Sequence, residues 1–73
     1  MPKLPRISGR ELAGILEVNG FIKVRQRGSH MVLQKRLEIT TITVPVPDHK
    51  ELKAGTLRSI IRQSGLSRSL FEK

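Results

Sequence analysis

The apolar positions of this chain change their spacing along its length, and each change marks a new element. Leu12, Ile15 and Leu16 fall on one helical face. Ser8 and Glu11 stand at capping-box spacing, and Ile7 is placed to pack on Leu12 as a hydrophobic staple, so a helix is predicted to begin near Ser8. Pro5 lies upstream of that start. Asn19-Gly20 reads as a left-handed stop, with Phe21 positioned to touch Leu16.

From Phe21 the period becomes two. Ile22 and Val24 alternate with Lys23 and Arg25, which predicts a strand with Ile22 and Val24 on its buried side. Arg27-Gly28 reads as a turn, and a return strand over about 29–35 alternates Met31 and Leu33 with His30, Val32 and Gln34. Lys35 and Arg36 are expected in the next bend. A third strand is predicted over about 38–44 from the β-branched run Ile39 to Val44, with Pro45 and Pro47 marking its end. Ile42 and Val44 are expected inward, while Ile39 is out of phase with them and signals a bulge or fraying.

Helical spacing then returns. Leu57, Ile60 and Ile61 share one face, Arg58 and Arg62 lie opposite, and Ser64-Gly65 reads as the stop, with Leu66 folding back on Ile61. The start falls either at Thr56, acting as a cap, or near Ala54 with Gly55 inside the helix. Residues Ser67 to Phe71 have room for one short turn. An α-β-β-β-α order is too short for parallel crossovers, so the expected class is α+β: a three-stranded antiparallel sheet with both helices on one face. The uncovered face would then show Lys23, Arg25, His30, Gln34, Thr41 and Thr43. Phe21 and Phe71 are expected in the core.

A chain of 73 residues has room for one domain, 1–73, and a domain of this size buries only roughly 60–65% of its unfolded surface. There is no cysteine to staple it, so a partner is one route to reinforcement. No apolar run approaches the roughly 18–20 residues of a membrane span, and the start MPKLPRIS lacks the apolar centre of a signal peptide. The expected location is therefore the cytoplasm.

Charge adds direction to this picture. Fourteen Lys and Arg against six acids give a net charge of +8, which points to a polyanionic partner, with nucleic acid as the first expectation. Residues 1–36 hold eight of the bases and two of the acids, so the hairpin half is the expected contact region. The densest basic cluster falls on strands and not on an amphipathic helix, which speaks against a membrane surface. Arg58 and Arg62 read as a solvated helix face.

Within the basic half, Arg25-Gln26-Arg27-Gly28-Ser29-His30 brings a histidine next to cations and small residues. An unperturbed histidine has a pKa of about 6.5, so it can exchange a proton near neutrality while arginines hold a phosphate. Taken alone, a single strand histidine is more often structural than catalytic. His49, in the loop Pro47 to Lys50, either reaches the same site or serves as a loop residue bonded to backbone or to Asp48. Two histidines without a patterned set of carboxylates lead us to expect no metal site.

Several blocks of the sequence carry a resemblance. Gly20-Phe21 follows the first helix, Val24 to His30 spells V-R-Q-R-G-S-H, Val44-Pro45 closes a strand, Glu51 to Ile60 spells E-L-K-A-G-T-L-R-S-I, and Gly65 to Ser67 spells G-L-S. In order and spacing, over nearly the full length, the chain resembles the HicA-type toxins of toxin-antitoxin pairs. Ala54 stands where a helix-starting proline is common in that family, and Lys35-Arg36-Leu37 replaces a more usual polar turn. Neither departure touches the histidine block.

The resemblance implies a fold like that of double-stranded-RNA-binding domains and an endoribonuclease, or mRNA interferase, that cuts messenger RNA without metal or other cofactor. It also implies a silencing HicB-type antitoxin as partner, and His30 matches the catalytic histidine. RNA carries its own nucleophile, the 2′-hydroxyl, so one imidazole moving one proton is enough to start cleavage. Expected RNA contacts are Lys23, Arg25, Arg27, Gly28, Ser29 and Lys35. One of Arg25, Arg27 and Lys35 would balance charge on the phosphorane, Gly28 would let the backbone approach, and Ser29 would donate a hydrogen bond. The free toxin is expected to be a monomer. The rival from another class is a non-catalytic RNA-binding module using the same basic face, and a third reading is an interaction protein for an acidic partner alone.

Overall fold

The computed structural model describes residues 6–72. Its elements are α1 (Gly9–Val18), β1 (Ile22–Arg27), β2 (His30–Arg36), β3 (Thr41–Pro47), α2 (Ala54–Ser64) and a short 3-10 turn (Arg68–Leu70). The strands form one antiparallel sheet in the order β1-β2-β3. This is the α+β arrangement that the spacing predicts.

Helix α1 starts and stops for the reasons its sequence announces. The Ser8 side chain accepts from the Glu11 backbone N–H at 3.0 Å, and the Glu11 carboxylate accepts from the Ser8 N–H at 3.1 Å, closing the capping box. At the other end the Phe21 N–H donates to the Leu16 carbonyl and the Gly20 N–H to the Glu17 carbonyl, with Gly20 at φ 99°. Those paired bonds are a Schellman stop, and they seat Phe21 against Leu16 in the core.

The core is a single cluster on one side of the sheet. Met31, Leu33, Val44 and Val46 from the strands meet Leu12, Ala13 and Leu16 of α1 and Leu57, Ile60 and Ile61 of α2, with Phe21 and Phe71 closing its ends. Helix α1 crosses all of the strands, whereas α2 lies along β3. The loop between β3 and α2 is tied to both neighbours: the Gly9 N–H donates to the His49 carbonyl, the Leu52 N–H to Ile7, and the Asp48 N–H to Ser29. Gly9 packs so closely on this loop that an added Cβ would collide with the Pro47 carbonyl oxygen.

Several sequence expectations shift. Strand β1 is exposed along its whole length, and Ile22 and Val24, expected inward, are 67% and 50% exposed. The register shows why: Lys23 pairs with Leu33 and Arg25 with Val32, so Val24 is the extra residue of a bulge. A bulge adds a residue and reverses the facing of everything on one side of it. The sheet's bulge thus falls in β1, where none was expected, while Ile39, expected to mark a bulge or fraying, lies frayed outside β3 and 96% exposed.

The hairpin turn is Gly28-Ser29, one residue later than expected, because Arg27 pairs with His30. Gly28 has φ 55° and no other residue of the turn has a positive φ, the pattern of a type II′ hairpin turn. Lys35 and Arg36 belong to β2, and residues 37–40 form the bend, with the Leu37 N–H donating to the Thr40 carbonyl at 2.8 Å. Strand β3 runs through Pro45 to Pro47 when those prolines were expected to end it. It is an edge strand, and an edge has one side on which a missing N–H goes unnoticed.

Helix α2 takes the earlier of its two expected starts. Ala54 is its first residue, Lys53 caps it without a side-chain bond, and Gly55 is absorbed. Gly65 ends it in the left-handed conformation at φ 73°. The buried Ser64 hydroxyl donates to the Ile61 carbonyl at 2.6 Å and accepts from the Leu66 N–H at 3.1 Å, folding Leu66 back onto the core.

Candidate functional site

Directly paired residues of neighbouring strands share a face, so the register sorts the polar side chains. Gln26 pairs with Met31 and Lys23 with Leu33, which puts Gln26 and Lys23 on the helix side. Arg25 pairs with Val32 and Arg27 with His30; Gln34 pairs with Thr43 and Arg36 with Thr41. These form the outer face, together with Pro45 and Pro47. Its arginines are Arg25, Arg27 and Arg36, and it carries no carboxylate.

The expected contact residues therefore separate. Arg25, Arg27, Gly28 and Ser29 gather around His30 on the outer face and in the turn that leads into it. Lys23 turns to the helix side, where its ammonium donates to Gln26 Oε1 at 3.2 Å beside Arg10 and Glu17. Lys35 also lies on the helix side: its Nζ sits 6.0 Å from the centre of the Phe21 ring, and its chain packs near Gly20 at the C-terminal end of α1. A cation there suits the negative end of the helix dipole. Along β2 it stands five residues from His30, about 17 Å at the usual strand rise. Thus the outer face keeps all of the expected residues Arg25, His30, Gln34, Thr41 and Thr43, and loses Lys23 to the bulge. Arg36, expected in a bend, joins it.

Ion pairing leaves this face uncompensated. Among the described residues the salt bridges are Arg10 with Asp48 at 3.2 Å and Arg68 with Glu72 at 2.9 Å, both elsewhere. The outer-face arginines have no acid to hold them and remain available to an anion.

His30 opens β2, held between the cross-strand partners Arg27 on β1 and Pro47 on β3. The bond from the Asp48 N–H to the Ser29 carbonyl ties the preceding turn to the loop after β3, which fixes the strand end that carries the ring. On its β3 side His30 lines a cleft of about 280 Å³. Pro45 and Pro47 form one wall, and Thr56, Ser59 and Gln63 of α2 form the other above buried Ile60. Sequence reasoning missed these helix residues. The available signal was their spacing, which places Thr56, Ser59 and Gln63 on one stripe of the helix next to its buried face.

His49 does not share this cleft. Its backbone carbonyl accepts from the Gly9 N–H, and it lines a separate depression with Ser8, Arg10, Asp48 and Lys50. No group of three or more potential metal ligands assembles among the described residues. No helix among them is long and apolar enough to cross a membrane.

The chain is thus a small α+β domain whose sheet has one apolar, helix-covered face and one arginine-bearing face, with a histidine beside a cleft on the latter. Comparison with known families identifies which one of this class it is. A family model described as the HicA toxin of bacterial toxin-antitoxin matches residues 9–66, a span running from the first residue of α1 past the stop of α2, and the chain belongs to that family. It is accordingly the toxin of a toxin-antitoxin system, a protein whose biology includes an antitoxin partner. The search of curated proteins returned no match.

Proposed function

We propose that this toxin is an endoribonuclease acting on messenger RNA in the cytoplasm, that His30 is its proton-transfer residue, that it uses no metal or other cofactor, and that a HicB-type antitoxin silences it. The observation that carries this reading is the position of His30. It stands beside Arg27 and near Arg25 on a face without a carboxylate, at the mouth of a cleft.

The chemistry follows from what RNA brings. The 2′-oxygen attacks the neighbouring phosphorus, an O2′–P bond forms as the P–O5′ bond breaks, and a 2′,3′-cyclic phosphate and a 5′-hydroxyl result. His30 serves either by taking the 2′-hydroxyl proton or, protonated, by giving one to the departing 5′-oxygen. Charge gathers on the phosphorane in between, and Arg25 and Arg27 are the cations placed to offset it. Gly28, without a side chain, lets the turn backbone approach the phosphate, and Ser29 supplies a hydroxyl donor. Lys23 and Lys35 add to the attraction of the basic half from the helix side and stand apart from the cut phosphate.

An antitoxin needs only to cover the outer face to stop this reaction, and an acidic covering surface is the complement of its arginines. The same uncovered arginines also serve the rival reading, a module that binds RNA through phosphates and shape without cutting it. Product ends separate the two. Purified protein incubated with labelled single-stranded RNA in EDTA is expected to yield 2′,3′-cyclic phosphate and 5′-hydroxyl ends. Fragments with 5′-phosphate ends would overturn the His30 chemistry, and RNA binding without fragments would favour the binding module.

A further inference from the structure

The cleft beside His30 differs in kind from the arginine strand on the other side of it. Arg25 and Arg27 lie toward β1, whereas the walls toward β3 and α2 are two prolines and three neutral hydrogen-bonding side chains. Phosphate is held by cations. A nucleobase is held by a flat apolar surface and by neutral donors and acceptors matched to its edge.

Resting on the ribonuclease reading, we infer that the cleft is a nucleobase subsite, and that it receives the base of the nucleotide whose 2′-hydroxyl attacks. His30 is the hinge of this assignment, since it pairs with Arg27 on one side and Pro47 on the other. A phosphate drawn against the arginines leaves the attacking ribose over His30, and the base attached to that ribose then points away from β1, into the cleft. The volume of about 280 Å³ falls just below the range of about 300–1,000 Å³ usual for pockets that take drug-sized ligands, a size suited to one planar ring system.

Gln63 is the specificity-determining residue of this subsite. It is exposed at the rim, and its Nε2 donates a long bond of 3.4 Å to Ser59 Oγ. The Gln63 side-chain oxygen and the Thr56 hydroxyl take part in no hydrogen bond among the described residues. An amide with a donor and an acceptor side by side reads a base edge through two bonds at once. Pro45 and Pro47 supply the apolar wall for the ring face. The residues that α2 buries in the core are Leu57, Ile60, Ile61 and Ser64, and none of Thr56, Ser59 and Gln63 is among them.

Two measurements on the full chain test the subsite. In the first, wild type, Gln63→Ala and Arg25→Ala are given an RNA pool randomised around one position, and the cut ends are sequenced. Wild type is expected to favour particular bases at the nucleotide 5′ to the cut. Gln63→Ala is expected to flatten that preference by roughly tenfold, the discrimination one good base-edge pair supplies, whereas Arg25→Ala slows cutting at every sequence alike. In the second, short all-deoxy oligonucleotides, which lack the 2′-hydroxyl and cannot be cut this way, are titrated into the protein and followed by NMR. They are expected to shift the Gln63 side-chain amide and the Thr56 and Ser59 backbone amides, to different extents for different bases.

An unchanged preference in Gln63→Ala, or deoxy-oligonucleotide shifts confined to the strands, would overturn the subsite and leave the ribonuclease reading standing. Base-dependent shifts in α2 from a protein that cuts no RNA would keep the cleft as a base-binding site but overturn its assignment to an attacking nucleotide together with the ribonuclease reading.

Discussion

The two faces of one sheet divide this toxin's work. On the inner face Met31, Leu33, Val44 and Val46 are buried to 4% exposure or less, and the helices cover them. On the outer face the alternate residues of the same strands are mostly arginine, histidine, glutamine, threonine and proline, with Ile22 and Val32 among them. Adjacent residues such as His30 and Met31 thus answer to different demands, Met31 to packing and His30, on the proposed function, to chemistry. A fold this small has little core to spare, so placing the site on the uncovered face lets it be polar without costing stability.

If that division holds, inner-face changes move stability first. The largest effect is expected from Leu33→Ala, which empties the middle of the core and is expected to cost about 2–5 kcal/mol, read from urea unfolding. A loss below 1 kcal/mol would mean the core is not organised around β2. Next is Gly9→Ala: its methyl group meets the Pro47 carbonyl, and forced overpacking costs about 1–3 kcal/mol. A melting temperature equal to wild type would show that the loop after β3 is not seated on α1 as described.

The smallest stability effect and a clear binding effect are expected together on the outer face. The double change Arg25→Ala and Arg27→Ala is expected to alter unfolding free energy by about 0.5 kcal/mol or less. It is also expected to lower the slope of log affinity against log salt for single-stranded RNA by about 0.7 for each phosphate contact removed. An unchanged slope would place the RNA elsewhere on the molecule and break the comparison at its functional half.

How much of this was legible in the chain depends on how local the signal is. The capping box of Ser8 and Glu11 and the Asn19-Gly20-Phe21 stop depend on neighbours a few residues apart, and both occur as read. So does the alternation of Met31 and Leu33, which packing on one face enforces. The bulge at Val24 was invisible because Ile22-Lys23-Val24-Arg25 alternates without a break, and only pairing with β2 shows the extra residue. Pro45 and Pro47 misled for a related reason: their cost depends on whether β3 is an edge, a property of the assembled sheet.

For the candidate site, the hairpin residues were legible because they are contiguous. Lys23 was not separable from them, since its facing is set by cross-strand register, and Lys35 was placed in a bend, whereas β2 continues through it and gives it the facing of Met31 and Leu33. The cleft wall of Thr56, Ser59 and Gln63 escaped notice because neutral polar residues on a helix look like solvated surface until a strand lies beside them.

The central claim, that the outer face carries the reaction independently of the core, rests most directly on His30. The decisive measurement compares wild type with His30→Ala for thermal unfolding, RNA binding and RNA cleavage in EDTA. The account predicts matching melting curves, nearly equal binding, and cleavage reduced by a factor on the order of 10²–10⁴. Cleavage retained at the wild-type rate by a folded His30→Ala protein would contradict it.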